Sequence, residues 1–541
     1  MKSIFMKSIL KIALIAFSLS SILLMTSCTK DFEKINTNPL YPTDDEIIRD
    51  DIAKLGTHLP ALQMEVVFLE SASNTTGRVN DYQILNNLTA ENWVGYMAPG
   101  ENKWPGKSLT QYYFDTGWNN MGFNCLVPRI LNPWIQIKNE TMVGDAKNEK
   151  VFAIAQISKI MGLHKATDMF GALPYSKAGS GSFTVEYDSQ EEIYTSFLKE
   201  LKEAVDVLSN LQGATVRTTD YVYSGNSTKW VKLGNSLMLR LAMRISYVKP
   251  ELAKEYVAMA CNHPVGLIDN VADQAQITTL GEGGDSYNAL SHIVEKYGVD
   301  ARMGASIQCY LAGYGDPRLQ KYFTGNVNIA IPPAVPSVSP NYEKAGKPNI
   351  PEKAPTVWMR ASEVAFLKAE AILKGFISGS VKAEYERGIK LSFIEQGVDE
   401  SLYESYIASV KKPAEFKDII HPKYSSPAPS SITPKWDESA DDEKKLERII
   451  TQKYLALFPN GQEAWSEWRR TGYPLLVPSV STISNYGVIK SDGHKDGVRC
   501  WPYPPVEFNL NKENVQKAIS QYKGGSNEAN VNVWWDVKVK N

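Results

Sequence analysis

The chain has 541 residues, 43% of them hydrophobic, and a formal net charge of −2. So balanced a charge gives no electrostatic case for nucleic acid, which is bound through concentrated basic surface. Length alone allows roughly two to four domains. The five cysteines include no CxxC pair, so neither a zinc site nor a dense disulfide framework is indicated.

In chain order, the first stretch is a basic start, Lys2, Lys7 and Lys11, followed by the apolar run Ile12–Leu24 and then Met25-Thr-Ser27. That order describes a secretory signal, and the run is too short for a comfortable bilayer-spanning helix. Cys28 follows the small residues directly, an arrangement that resembles a bacterial lipobox. The expected outcome is cleavage before Cys28 with acyl chains on its thiol and new N-terminus. Several chains would anchor the protein firmly, where one does so only marginally. The expected organisation is therefore a signal peptide over 1–27, a lipid anchor and tether over 28–43, and a single domain over 44–541. Processing removes three lysines and no acids, taking the net charge to −5.

A helical pattern begins near Asp44 and runs to about Leu69. Residues 70–120 are dense in Asn, Gly and aromatics and predict helices broken by long loops. From Lys147 the signal strengthens, with Ile154, Ile157, Ile160, Met161 and His164 on one stripe. Ser189-Gln-Glu-Glu192 is a capping box, and Ile193, Phe197, Leu201, Val205 and Leu208 then recur at helical spacing. Trp230, Leu233, Leu237 and Leu241 make another such face, and Glu251–Cys261 a shorter helix. Amphipathic helices of this length can stack as tetratricopeptide-like hairpins, each burying the face its neighbour exposes. Residues 262–357 predict a long irregular run, with a flexible Gly281–Asp285 loop and proline-rich segments at 331–336 and 348–355 that exclude regular helix. Helix resumes at Ser362–Lys374, with Gly375 as its C-terminal cap, and again at Val381–Gln396, Glu443–Phe458 and Gln462–Arg470. Residues 411–441 and the aromatic tail from Cys500 read as irregular. The four cysteines after Cys28 (Cys125, Cys261, Cys309 and Cys500) are expected to be buried free thiols.

Several stretches together resemble the SusD/RagB family of nutrient-binding outer-membrane lipoproteins. They are Thr167-Asp-Met-Phe-Gly-Ala-Leu-Pro-Tyr175, Tyr187-Asp-Ser-Gln190, Lys229-Trp-Val-Lys-Leu-Gly-Asn-Ser236 with Leu239–Ile245, Asp316-Pro-Arg318, the Glu363…Glu370 helix, Gln462-Glu-Ala-Trp465, Arg469-Arg-Thr-Gly-Tyr-Pro474 and Trp534-Trp-Asp536. The acidic residues after Cys28, in Thr29-Lys-Asp-Phe-Glu33, resemble the export tag of surface lipoproteins in the Bacteroidota. Two places depart from the family pattern: Tyr223-Ser-Gly-Asn226, where a Tyr-Gly-Gly-Asp-like turn is expected, and Cys500-Trp-Pro-Tyr-Pro504. The resemblance implies an all-α fold of tetratricopeptide-like helical hairpins packed against a loop-rich ligand-binding lobe. It further implies a cell-surface protein without catalysis or cofactor, which holds an oligosaccharide, or in some branches a peptide, for a SusC-like TonB-dependent outer-membrane transporter. A non-binding helical-repeat scaffold of an outer-membrane complex is the remaining alternative.

Sugar binding needs flat aromatic faces for the apolar side of a pyranose, with polar groups for its hydroxyls. Residues 74–119 supply that mixture in Arg78, Asn92, Trp93, Tyr96, Asn102, Trp104 and Asn119, and the family's ligand residues often lie in such an early loop region. For each tryptophan here the sequence supports core packing as well as ligand contact; Trp104, flanked by Gly100, Pro105 and Gly106, is expected on the surface. Tyr287 and, behind it, Tyr342 are further candidates. The expected ligand set is Arg78, Trp93, Tyr96, Asn102, Trp104 and Tyr287. By contrast Trp230, Trp465, Trp468, Trp534 and Trp535 sit in the shared motifs and should hold the fold. Arg240 and Arg244, four apart on one helix, should pair with carboxylates such as Glu363 or Glu370.

The catalytic motifs sought in the sequence fail, while its acidic residues are numerous enough that a pair at glycosidase distance stays open. Gly100–Ser108 imitates a P-loop but has five residues between its glycines where four are needed. There is no GxSxG elbow or HExxH pair, and the six histidines lack ligand spacing.

Overall fold

The computed structural model describes residues 53–540 apart from 71–76, 102–103, 105, 143–146, 183, 212–215, 281–283 and 337–339. The signal, Cys28, the tether and Asn102 lie outside the described residues. The chain divides at Thr57/His58, and the larger unit, His58–Asn541, is the body that carries the fold.

The helices that carry the architecture are α1 (Ala53–Val66), α2 (Thr116–Leu126), α3 (Pro128–Thr141), α4 (Glu149–Phe170), α5 (Gln190–Asn210), α6 (Ser227–Arg244), α7 (Pro250–Asn262), α8 (Ala289–Lys296), α9 (Ala305–Tyr314), α10 (Ala361–Leu373), α11 (Val381–Glu395), α12 (Asp442–Leu457), α13 (Gly461–Thr471) and α14 (Lys512–Tyr522). Neighbours in sequence pack as hairpins: α3 on α4, α4 on α5, α5 on α6, α6 on α7. A second set, α10, α11 and α12, is joined to the first through α6 against α10, and α13 packs on α12. The fold is all-α with tetratricopeptide-like hairpins, as the resemblance implies.

Local sequence explains where these helices start and stop. At α5 both halves of the capping box form: Glu192 N–H donates to Ser189 Oγ at 3.2 Å, and Ser189 N–H donates to Glu192 Oε2 at 2.8 Å. Ile193, Phe197, Leu201, Val205 and Leu208 are all buried, each such side chain contributing about 1.5–3 kcal/mol of apolar transfer. Gly375, at φ +69°, ends α10 in a Schellman motif: its N–H donates to Ile372 O, and that of Phe376 to Ala371 O. The departure at Tyr223–Asn226 is accommodated locally. Ser224 takes a left-handed φ of +50° where the family pattern offers glycine, and Asn226 caps α6 by accepting from Lys229 N–H at 3.1 Å.

Among the described residues the strands form only short antiparallel pairs: β1 (Leu69–Glu70), β2 (Met97–Ala98), β3 (Ala275–Ile277), β4 (Tyr287–Asn288), β5 (Arg302–Met303), β6 (Phe323–Thr324), β7 (Lys347–Pro348) and β8 (Thr356–Met359). They pair as β1–β4, β2–β5, β3–β8 and β6–β7, stitching the loop-rich lobe to itself. The lobe is less irregular than its composition predicts, because α8 and α9 fall inside 262–357 and α14 inside the tail. Ala305, Ser306, Ile307, Cys309, Tyr310 and Leu311 of α9 are all buried and its exposed residue, Ala312, is apolar, so that helix has little polar face to betray its period.

The motif residues meet inside the body. Arg240 of α6 donates twice to Glu363 of α10, Nε to Oε1 and Nη2 to Oε2, both at 2.7 Å. Arg244 pairs instead with Glu463 at 2.6 Å and Glu467 at 2.8 Å of α13, because Glu370 is taken by Arg470. Lys453 stands 3.2 Å from Glu467. Burial alone would raise the Glu467 carboxyl; Arg470, Lys453 and Arg244 around it hold it well below the ordinary range. Asp168 of α4 accepts from Tyr194 Oη at 2.5 Å and Trp535 Nε1 at 2.9 Å, tying the C-terminal Trp-Trp-Asp to the helices. The Arg469 guanidinium is sandwiched between the rings of Trp465 and Trp535. Trp230, Trp465 and Trp535 are fully buried, Trp468 nearly so and Trp534 half-buried. Cys125, Cys309 and Cys500 are buried free thiols, and Cys261 is partly buried.

Candidate ligand-binding face

The early loop region divides into core and surface. Trp93 is buried, its Nε1 donating to Leu109 O at 2.9 Å and its ring meeting Trp465 edge-on at 5.1 Å. Tyr96 is fully buried, stacked on Tyr454 at 4.5 Å and donating its hydroxyl to Tyr454 O. These two are therefore core residues and not ligand contacts: the aromatic surface a sugar would need is already used inside the body. Asn92, Asn119 and Tyr342 are buried as well, Tyr342 donating to Asp418. Arg78 is committed to an ion pair with Glu65 at 2.6 Å and to Met64 O at 3.2 Å. Glu65 also pairs with Arg129 at 2.8 Å, so Arg78 clamps the end of α1.

Trp104 is half-buried and meets half-buried Trp118 edge-on, ring centres 5.3 Å apart. A tight turn holds the first ring, Lys107 N–H donating back to Trp104 O at 3.1 Å across Gly106 at φ +73°. The start of α2 holds the second. Asp115 caps that helix, its Oδ1 accepting from Gly117 N–H at 2.9 Å and Trp118 N–H at 3.4 Å. Tyr113, also half-buried, lies two residues before that cap. Two indoles at 85° to one another can present one flat face and one edge, the arrangement that suits a ring with an apolar side and a rim of hydroxyls. Sequence reasoning missed Trp118; the signal was Asp115 placed as an N-cap three residues before it.

Tyr287 is half-buried in β4, opposite Glu70 of β1. Its hydroxyl is 3.5 Å from Asp285, which also accepts from Lys353 Nζ at 2.8 Å, and that bond holds the Asp285 carboxyl below its ordinary range. Among the described residues no three or more His, Cys, Asp or Glu are placed to hold a metal ion, and no helix is long and apolar enough to cross a membrane.

Helical hairpins around a buried ion cluster, with loops carrying a half-exposed aromatic pair, define a helical-repeat frame with a loop-rich face. The chain belongs to the SusD-like family, the SusD and RagB outer membrane lipoproteins, whose model matches residues 34–536. Similar solved structures agree. A chitin-binding SusD homologue from Flavobacterium johnsoniae is 32% identical, with 90% of this chain and 99% of that one covered and a TM-score of 0.82. A SusD homologue from Bacteroides uniformis is 35% identical over 90% and 100%, with a TM-score of 0.81. One from Bacteroides vulgatus is 30% identical over 91% and 99%, with a TM-score of 0.82. No curated protein sequence matches.

Proposed function

We propose that this protein is a lipid-anchored cell-surface receptor for an oligosaccharide, which it delivers to a SusC-like TonB-dependent outer-membrane transporter without chemically changing it. The observation that carries this reading is the similarity along nearly the whole chain to a chitin-binding homologue within a family of outer-membrane lipoproteins. The Trp104–Trp118 pair supplies the stacking surface, and Tyr287 with Asp285 and Lys353 supplies a second aromatic and polar contact. Cys28 supplies the anchor, its acyl chains holding the body outside the membrane.

A combined glycan and peptide array tests the reading. Binding confined to glycans of one linkage class supports it. Binding to extended peptides alone replaces the cargo, and an array blank in every position leaves a helical scaffold.

A further inference from the structure

Among the described residues the largest cavity of the body measures about 420 Å3, and none of the sequence-predicted site residues lines it. Ligand pockets begin near ~300 Å3, so there is room for a small organic molecule. The lining comes from β8, from the turn between α12 and α13, and from the proline-rich run 349–355. Pro351 and Pro355 of that run are exposed, so the cavity reaches the surface there.

Arg360 lines this cavity half-buried, at the junction of β8 and α10. Its backbone is held on both sides. The preceding Met359 pairs with Ala275 of β3, and Arg360 O accepts from Val364 N–H at 3.4 Å in the first turn of α10. Its guanidinium has neither a hydrogen bond nor an ion pair. Among the described residues every other buried or half-buried arginine donates to a carboxylate or a carbonyl. A guanidinium partly removed from water with no acceptor is costly, and a bound acceptor would repay that cost.

The other charges of the lining leave a positive surplus. Glu363 is bonded twice by Arg240, and burial pushes the Glu91 carboxyl up to about 8, so it keeps its proton at neutral pH. Glu395 turns both oxygens to Ser362, accepting from its N–H at 2.9 Å and from its Oγ at 2.6 Å. Burial raises the Glu395 carboxyl and the Arg360 charge lowers it, so the two sense one another without touching. Lys321 is exposed at the rim, and its side chain has no partner. Arg360 and Lys321 against Glu395 leave one positive charge over. Lys165, which burial shifts down to about 7, adds part of another.

Three half-buried amides of the lining, Asn86, Gln276 and Gln396, make no side-chain hydrogen bond within the protein. Each offers a donor and an acceptor, which is what a sugar hydroxyl needs. Phe68 and Phe458 add rings of the kind that the C–H side of a sugar meets. A planar guanidinium matches the two oxygens of a carboxylate as a fork. One surplus charge suits a monoanion better than a phosphate, which carries about −1.5 to −2. A free dipeptide would also bring an ammonium, and Glu395 is already committed to Ser362.

We propose that this cavity binds a sugar carrying one carboxylate, a hexuronic acid, with Arg360 as the clamp on that carboxylate. The sugar half of the assignment rests on the receptor reading above, and the carboxylate half on Arg360 and Lys321.

The test uses the full chain in detergent, with sodium D-glucuronate and sodium D-galacturonate as probes. D-glucose, acetate, glycylglycine and inorganic phosphate are the contrasts. Titration calorimetry should show at least one hexuronate binding, roughly tenfold or more tighter than glucose and weakening as salt is added. Arg360→Gln should weaken it by about ten- to a hundredfold, the scale of one hydrogen bond to a charged group, and bring it level with glucose. Arg360→Lys keeps the charge without the fork and should fall between. A hexuronate complex of the wild type should place the carboxylate on Arg360, which holds the test open if a variant fails to fold. Five results overturn the proposal: neither hexuronate binds; glucose binds as tightly; acetate, glycylglycine or phosphate binds more tightly than both hexuronates; Arg360→Gln leaves the hexuronate unchanged; or the complex places the carboxylate away from Arg360. None of these readouts uses the glycan and peptide array. A blank array therefore fails the receptor reading by itself, and an unbound hexuronate fails this site while an array signal stands.

Discussion

Arg470 and Glu370 meet as a two-bond fork although 100 residues separate them in the chain: Nη1 to Oε1 at 2.7 Å, Nη2 to Oε2 at 2.6 Å, both side chains fully buried. The fork fastens α13 to α10, and through Glu467 it continues to Arg244 on α6. Breaking a buried pair from one side strands the other charge in a low-dielectric interior. Glu370→Ala should therefore destabilise the body by roughly 3–5 kcal/mol, measured as the shift in the urea unfolding curve. A loss under about 1 kcal/mol, the ordinary worth of an exposed pair, would show that the fork is not a structural fastening.

The two tryptophan settings separate by paired substitutions. Trp104→Ala should weaken glycan binding by about 1–3 kcal/mol and leave thermal unfolding nearly unmoved, since its ring lies half-exposed on a turn. Trp465→Ala removes a fully buried ring from between Trp93 and Arg469 and should cost roughly 3–5 kcal/mol of stability. Calorimetry for binding and urea unfolding for stability read the two axes independently. An unfolded Trp104→Ala would move that residue into the core.

Glu91 gives the stability a pH signature. Burial raises its carboxyl from 4.5 to about 8, outweighing the hydrogen bonds from Tyr82 and Asn87 that lower it. The folded state thus keeps a proton that the unfolded chain gives up, so this contribution is complete below pH 4.5 and is lost as the pH rises through 8. Lys165, shifted down to about 7 by burial, works in the opposite sense, adding stability as the pH rises from 7 through 10.5. Comparing wild type with Glu91→Gln isolates the first effect. Between pH 5 and 8 the wild type should lose on the order of 3 kcal/mol more than the variant. Parallel stability curves for the two would place the Glu91 carboxyl at its ordinary value.

Lipidation should follow the Lys2–Cys28 segment. Metabolic labelling with a fatty-acid analogue should tag the wild type and miss Cys28→Ala, and equal labelling of both would remove the anchor from the picture.

The transporter partnership should survive gentle solubilisation. Affinity capture of the protein from outer membranes in mild detergent should bring down a β-barrel transporter of the SusC type. Repeated recovery of the receptor alone would count against it. Repeat proteins commonly dock through extended helical surfaces, so charge reversals on the outer faces of α5 and α7 are the first places to map the contact.

The helices were legible where a cap and an apolar stripe coincide. Ser189 with Glu192 opens α5, Gly375 closes α10, and both boundaries follow from hydrogen bonds made within a few residues. Helix α9 was hidden because its open side carries only Gln308, Ala312 and Gly313, too little polarity to mark the 3.6-residue period, and α3 because Pro133 interrupts its pattern. The ion cluster was half legible. Helical spacing put Arg240 and Arg244 on one face, but which carboxylate each takes depends on how α10 and α13 approach α6. The binding face was the least legible part. Trp93 and Trp104 stand eleven residues apart in the same kind of sequence, and only the arrival of Trp465 from far along the chain makes one of them core. Trp118 lay in the same aromatic stretch, yet its pairing with Trp104 depends on how two loops close.

Asp168, Arg240, Arg244, Glu363, Glu370, Glu463 and Arg470, all in stretches that carry the family likeness, point inward into one cluster and join α4, α6, α10 and α13. Among the described residues none of the ion pairs of that cluster reaches Trp104 or Trp118. Frame and face are thus mechanically uncoupled at the level of their strongest interactions. The turn around Trp104 and the first turn of α2 can be exchanged as a cassette, with a new cargo specificity grafted onto an unaltered support.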